Sequence, residues 1–363
     1  MLNTGNPLTV GVVGVGYWGE KHLRVLQSLA GVEAVAIDER LPQMPERAHL
    51  VAAGRGYTSL TAALPHVDAV VIATPPTSHV TLALEAIRAG KHVLVEKPLA
   101  TTTADAQLLV DAAREVGVTL MSGHTFEYNA GVWMLRDLVQ KGELGDLYYL
   151  NSARLNLGLY QRDVNVVLDL APHDISIVNH VLGARPTSVQ AWGSRHVHPD
   201  FEDVAYLRLD YDEIGVQANI HVSWLDPHKV RQVTAVGARK MAVFDDASAE
   251  RIRIHDKGAT LIPPFTGTAG STAGVSYHNG DITSPVVRFA EPLAVQDKHF
   301  VECIREGLQP DTDGPCGLAV VQVLECAQIA LAEGRRVFVE EVATSEVGGY
   351  STADLVGVGA GDD

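Results

Sequence analysis

Three glycines set the frame for this chain. Gly14, Gly16 and Gly19 form a G-x-G-x-x-G pattern where the apolar run LTVGVVGVG gives way to a helical pattern starting at Tyr17. A buried strand that ends in such a turn and feeds a helix opens a dinucleotide-binding βαβ unit. The first glycine permits the tight turn, the second lets a pyrophosphate approach the backbone, and the third lets helix and strand pack closely. The helix N-terminus then offers free N–H groups and a positive dipole end to the phosphates. With 33 glycines in the chain the pattern alone is weak, and a second residue strengthens it. Asp38 closes the next strand-like run, VEAVAID, 19 residues after Gly19. A carboxylate there accepts hydrogen bonds from the adenosine ribose hydroxyls and repels a 2′-phosphate, which favours NAD over NADP. Glu39 adds negative charge nearby, and Arg40 is the one neighbour that favours NADP. The alternative is that Asp38 merely ends a strand and faces water.

Short apolar runs and helical patterns go on alternating to about residue 123. VDAVVIAT, HVLVEKP and VTLMSGH read as strands. Helices are expected from near Pro45 to before Gly54, over TSHVTLALEAIRAG with Gly90 closing it, and from about Thr103 to Val116 with Gly117 stopping it. Strands that are continuously apolar within β-α units mean a parallel sheet covered on both faces. Beyond residue 123 the pattern changes. A helix over roughly Ala130 to Lys141 and a long strand over LGDLYYLNSARLN come first, then a helix over LDLAPHDISIVNHVLG. Strand-like runs follow: TSVQAWGS, DVAYLRLDY, VQANIHVSW, VRQVTAVGA and KMAVFDD. Several alternate apolar and polar residues, as an open antiparallel sheet does. Pro263 to about Val286 reads as a long loop, and helices follow near Val295–Glu306 and Leu318–Glu333. The fold class is therefore α/β: an N-terminal Rossmann, doubly wound parallel sheet plus a C-terminal α+β domain with a large, mostly antiparallel open sheet. The boundaries expected are 1–123 for the dinucleotide domain, 124–350 for the substrate and oligomerisation domain, and 351–363 for a weakly ordered tail.

Composition excludes several functions. A formal net charge of −16 argues against nucleic acid, which needs clustered Lys and Arg. Cys303, Cys316 and Cys326 match no metal or redox spacing, and the histidines form no zinc set, so no metal is expected. No apolar run approaches the roughly 20 residues that span a bilayer. The N-terminus MLNTGNPLTV lacks a basic stretch followed by an apolar run, so a cytoplasmic setting without membrane contact is expected.

Loops at the carboxyl ends of parallel strands line the ligand crevice, which places Thr74 and Pro75 beside the cofactor. Lys97 lies just past a buried strand on the same side, placed to hydrogen-bond a reacting hydroxyl and stabilise oxygen charge. A surface lysine opening a turn is an equal reading of that residue alone. Asp169 and His173 are four apart in a helical pattern and share a face. A carboxylate beside an imidazole fixes its tautomer, and the imidazole can take a hydroxyl proton while a hydride moves to a nicotinamide. A structural acid–histidine pair is the alternative, Asp174 competes as partner, and Pro172 points to a bent or newly started helix.

Gly14-Val15-Gly16-Tyr17-Trp18-Gly19, the run AGKHVLVEKP, and the pair Asp169 and His173 together resemble the glucose–fructose oxidoreductase / inositol dehydrogenase / rhizopine-catabolism (Gfo/Idh/MocA) family over nearly the whole chain. The resemblance implies NAD(P)-linked oxidation or reduction of a sugar or cyclitol, with Lys97, Asp169 and His173 as catalytic residues. It adds Tyr17, Trp18, His79 and Glu96, with Lys97, to the cofactor set. It also implies a homodimer or homotetramer built through the C-terminal sheet. In that family GHTFEYN lies beside the substrate, pointing to His124, Tyr128 and Asn129. Arg154, Asn156, Tyr160, Arg162 and Asn165 lie in a stretch unusually polar for its place, and offer donors to hydroxyls or a phosphate, or form a solvated loop. GHTFEYN, LDLAPHD and IHVSWLDPHKVR are similar to the branch that acts on nucleotide-linked or amino sugars, including sugar 3-dehydrogenases. Inositol or a free hexose fits the same trio, and a cofactor-binding regulator without turnover is the reading from another class.

Overall fold

A computed structural model describes residues 7–44, 54–158, 160–161, 164–262 and 274–343. The chain divides into two compact units, one of residues up to Ser122 with Cys303–Glu325 and the chain from Glu340, the other of Gly123–Glu302 and Cys326–Val339. The chain thus returns to the first unit late, which a contiguous division at residue 123 does not anticipate. The helix expected near Pro45, Arg162 and the tail 351–363 lie outside the described residues.

In the first unit β1 (Leu8–Val13), β2 (Val32–Ile37), β3 (Gly56–Tyr57), β4 (Ala69–Ile72), β5 (His92–Glu96) and β6 (Leu120–Gly123) form one sheet in the order β3-β2-β1-β4-β5-β6. The β1–β2, β1–β4, β2–β3 and β4–β5 pairings are parallel. This is the doubly wound order, and the strand order reverses between β1 and β4. The helices Tyr17–Ser28, His79–Arg88 and Thr103–Val116 connect the strands. The last begins where the Thr102 hydroxyl accepts from the Asp105 N–H. The strands are apolar throughout because both faces are covered; Ile37, Ile72, Ile87, Leu109 and Val321 share one core cluster.

The expectation about membrane spans needs a correction. The helix Gly314–Glu333 is long and apolar enough to cross a bilayer, but 56% of its most apolar window is buried in the protein. Leu318 and Val321 belong to the first unit's core, so here it acts as a core helix.

The second unit is built on β7 (Leu147–Leu157), β8 (Ser188–Ser194), β9 (Val204–Tyr211), β10 (Val216–Ser223), β11 (Leu225–Gly237), β12 (Met241–Asp245), β13 (Ile252–Ile262), β14 (Gly274–Thr283) and β15 (Val337–Phe338). Their order is β14-β13-β12-β11-β7-β10-β9-β8-β15, antiparallel except for β7 with β10. Alternation decides the faces. Ala218, Ile220 and Val222 of β10 are buried, whereas Gln217 and Asn219 are exposed. Part of the loop expected over 263–286 is instead β14, paired with β13 from Gly274 to Thr283. Its Gly, Ser and Thr content reads as loop, but its backbone groups are met by the neighbouring strand.

The helix Val166–Leu182 packs on the inner face of this sheet. The Asn165 side chain caps its start by accepting from Leu168 N–H at 3.1 Å, and Gly183, at φ 64°, ends it in the left-handed conformation that glycine adopts without a Cβ penalty. Pro172 lies inside it and neither stops nor restarts it, so Asp169 and His173 ride on one helix.

Candidate active site

The glycine turn and the loop after β4 meet at the carboxyl ends of β1 and β4. Gly14 takes φ +85°, and a Cβ there would lie 2.7 Å from the Thr74 methyl, so only glycine lets the two crevice loops meet. A Cβ on Gly19 would fall 1.9 Å from the Gly14 carbonyl oxygen. A Cβ on Gly16 would meet no described residue within 4 Å, so the turn leaves the approach a pyrophosphate needs. Tyr17 and Trp18 start the helix at 72% and 40% exposure, with the Lys21 ammonium over both rings at 4.0 and 4.6 Å.

Asp38 is buried and accepts from Val15 N–H at 3.0 Å and Arg40 N–H at 2.9 Å, with the Arg40 guanidinium at 3.2 Å. Burial opposes its charge, but the Arg40 and Val15 donors prevail and hold its carboxyl below the usual range. The carboxylate therefore links the glycine turn to the end of β2. Asp38→Ala is expected to raise the Kd for NAD by roughly 10- to 100-fold and to move preference toward NADP, because Arg40 loses its partner. Titration of both cofactors measures this; an unchanged NAD:NADP ratio would mean that another group reads the ribose.

Two of the expected cofactor residues, His79 and Glu96, are buried. His79 is fully buried, its Nδ1 2.9 Å from the Pro98 carbonyl and its Nε2 2.9 Å from the Thr74 carbonyl. Burial pushes its imidazole down in spite of these two acceptors. It ties the loop after β4 to the loop after β5, and its ring nitrogens are engaged there. Glu96 is likewise buried; it pairs with His22 Nε2 at 3.0 Å and accepts from Lys97 N–H at 3.1 Å. Burial disfavours its charge, but the His22 hydrogen bond and charge outweigh that and lower its carboxyl. Thr74 and Pro75 lie on the crevice loop, Thr74 accepting from the Ser78 hydroxyl at 2.7 Å. Lys97 is half-buried just beyond β5, ahead of a cis Lys97–Pro98 bond.

The second unit carries the other expected catalytic groups. Asp169 and His173 are half-buried on one face of the Val166–Leu182 helix. The Trp224 indole N–H donates to Asp169 Oδ2 at 3.0 Å. The Phe126 ring meets the His173 ring edge-on at 5.2 Å. Asp174, the competing partner for His173, points into the core: it accepts from Ser152 at 2.6 Å and from Arg154 Nε at 2.6 Å. The Arg154 guanidinium also stacks 4.5 Å over the Phe126 ring. Arg154 is thus buried between Asp174 and Phe126.

The remaining expected substrate residues divide. Asn129 caps the Ala130–Gln140 helix through Gly131 N–H at 2.9 Å and donates to Asp246 at 3.3 Å. Asn165 caps the Val166–Leu182 helix and donates to Glu202 at 3.0 Å and Gln328 at 2.9 Å. Both side chains cap helix starts. His124 and Tyr128 are buried, Tyr128 against the His299 ring at 5.5 Å. Tyr160 and Asn156 are half-buried, and Tyr160 lies 5.0 Å from the Trp224 ring. Burial and the nearby Asp203 charge hold the Tyr160 phenol up. Among the described residues no group of three or more His, Cys, Asp or Glu is placed to hold a metal ion.

Comparison with known proteins follows the same division. Residues 8–124 match the model described as "Oxidoreductase family, NAD-binding Rossmann fold", and residues 132–243 match the GFO/IDH/MocA C-terminal domain. The chain belongs to the Gfo/Idh/MocA oxidoreductase family. It is 32% identical over 331 residues to the UDP-N-acetylglucosamine 3-dehydrogenase of Acidithiobacillus ferrooxidans, covering 89% of this chain and 97% of that one. A solved structure of that enzyme superposes with a TM-score of 0.72 at 27% identity, over 90% of this chain and 98% of that one. The structure of GenD2 from gentamicin A biosynthesis, in complex with NAD, gives a TM-score of 0.74 at 25% identity over 93% and 97%. The scyllo-inositol 2-dehydrogenase (NAD(+)) of Bacillus subtilis is 25% identical, over 85% of this chain and 90% of that one. The first unit is therefore an NAD-binding Rossmann fold, and the second carries the family's mostly antiparallel sheet.

Sequence reasoning passed over Trp224, Phe126 and His22. Trp224 is 55 residues from Asp169, and no periodicity links the two. Its only signal was its place in the stretch IHVSWLDPHKVR.

Proposed function

We propose that this protein is an NAD-dependent dehydrogenase that converts a secondary hydroxyl of a nucleotide-linked or amino sugar, at C3, into a ketone, and the reverse. The observation that carries the reading is the joint presence of Asp169 and His173 on one helix face. The similarity to a UDP-N-acetylglucosamine 3-dehydrogenase supports the substrate class. The cofactor residues fit: Gly16 leaves the backbone approachable, the Tyr17 helix start faces the phosphates, and Asp38 accepts from the ribose. When bound, NAD⁺ takes the hydride from the carbon that becomes the ketone. His173 removes the hydroxyl proton, with Asp169 one turn away favouring the charged ring. The Lys97 ammonium donates to the same oxygen and steadies its developing charge. Oxidation thus yields ketone, reduced cofactor and one proton on His173.

Tyr160 and Asn156, both half-buried, are the proposed sugar-facing groups. The outer sheet face stacks Trp192 on Tyr206 at 5.6 Å and Tyr206 on His221 at 4.1 Å, both near 12°, which supports a homodimer or homotetramer through the sheet. A monomeric mass by light scattering would overturn that assembly. A cytoplasmic setting, where NAD and nucleotide sugars are both present, suits the reaction.

A panel of UDP- and dTDP-sugars, free sugars, inositols and aminoglycosides, followed as NADH formation, tests the reading. Turnover confined to nucleotide or amino sugars is expected. Turnover of inositol alone would favour the second reading, supported by the scyllo-inositol 2-dehydrogenase relative. NADH binding without any turnover would favour a regulator.

A further inference from the structure

We propose that Trp224 is a positioning residue for the reaction, and that its indole N–H sets the rotation of the Asp169 carboxylate. This rests on the role given to Asp169 above. Trp224 sits at the junction of β10 and β11, and is 1% exposed. Its backbone is fixed on two sides: its N–H donates to the Asp203 carbonyl at 2.9 Å, and its carbonyl accepts from Gly158 N–H at 3.0 Å. Asp203 is itself fully buried and tied by the His196 ring at 2.7 Å and by the N–H groups of His196 and Val197, each at 2.8 Å. A Cβ on Gly158 would lie 3.1 Å from the indole, so the ring has little room to swing.

The indole has a single polar atom, a donor with no acceptor capacity. That atom is directed at one oxygen, Oδ2, of a half-buried carboxylate in the first turn of the catalytic helix. The helix N-terminus already favours a negative charge there, so the indole is not needed to keep the carboxylate in place. What a single fixed donor adds is direction. Holding Oδ2 limits the rotation of the carboxylate, and with it the place of the second oxygen. A buried indole that only filled space would leave the chemistry indifferent to its N–H.

Three variants and one spectrum test this. Trp224→Phe removes the donor and keeps an aromatic ring. It is expected to lower kcat by roughly 10- to 100-fold, the usual loss of a hydrogen bond to a charged group. KM and NADH binding should stay within about threefold, since no substrate or cofactor contact is removed. Asp169→Asn combined with Trp224→Phe should be no slower than Asp169→Asn alone, because both act through one contact. The spectrum needs no activity: the indole N–H signal of Trp224, one of four tryptophans, should shift in Asp169→Asn. Wild-type kcat in Trp224→Phe, independent losses that multiply, or an indole signal that ignores Asp169→Asn would each overturn the proposal. The spectrum decides it even if Trp224→Phe does not fold. Wild-type turnover by Asp169→Asn would instead remove Asp169 from the reaction, and this inference with it.

Discussion

Lys97→Ala is expected to lower kcat by roughly 10²- to 10⁴-fold while the Kd for NADH moves by less than about threefold. The structure separates the two effects because the segment around Lys97 is held without its ammonium. Glu96 accepts from the Lys97 N–H and is itself anchored on His22, and His79 bonds the Pro98 carbonyl. Removing the side chain should leave this scaffold, and the glycine turn, where they are. Lys97→Arg keeps the charge but replaces a compact point donor with a planar fork, so it should recover only part of the rate. Steady-state kinetics with fluorescence titration of NADH measures both quantities. Unchanged turnover in Lys97→Ala would assign the lysine to the surface of a turn.

Alanine at Gly16 and at Gly19 is expected to give opposite signatures. Gly19→Ala places a methyl 1.9 Å from the Gly14 carbonyl oxygen, so helix and strand must separate. Overpacking against backbone should cost about 3 kcal/mol and lower the melting temperature without any cofactor present. Gly16→Ala meets no described residue, and Gly16 has φ −88°, which alanine adopts freely. Its melting temperature should stay close to wild type. Its NAD affinity should nevertheless fall at least tenfold, because the methyl occupies the approach of the pyrophosphate to the backbone. Thermal melts of the free proteins and NAD titration check the pair. Wild-type NAD affinity in Gly16→Ala would mean that the pyrophosphate does not pass over this residue.

The dinucleotide half of the fold was legible because its signals are local. A strand, a glycine turn and a helix lie within about 20 residues of sequence, and the acid that follows sits at a fixed spacing. Asp38, Thr74 and Lys97 fall on the crevice loops for the same reason. What the sequence does not show is which way a side chain turns. His79 and Glu96 belong to the same motifs as the crevice residues, yet the backbone carries both into the interior, where carbonyls and His22 engage them. Asn129 entered through the resemblance and Asn165 through the polarity of its stretch. The helix starts that follow them consume their oxygens. β14 was hidden by its composition, and the Trp224–Asp169 bond by the chain length between its ends. Long-range pairing leaves no period in the sequence.

The mounting of the Val166–Leu182 helix has a consequence for how such enzymes diversify. One side of the helix presents Asp169 and His173, while on another side Asp174 is bolted to Ser152 and Arg154 of β7 by two 2.6 Å hydrogen bonds. The groups proposed to react are thus referenced to a strand in the middle of a nine-stranded sheet, rather than to the segments proposed to meet the variable part of a sugar. On the proposed mechanism, segments that choose a substrate can then drift, lengthen or be exchanged without disturbing the mounting of Asp169 and His173. A lineage using this arrangement can acquire a new substrate by changing peripheral chain alone, and grafting experiments between relatives should keep reaction type while altering substrate scope.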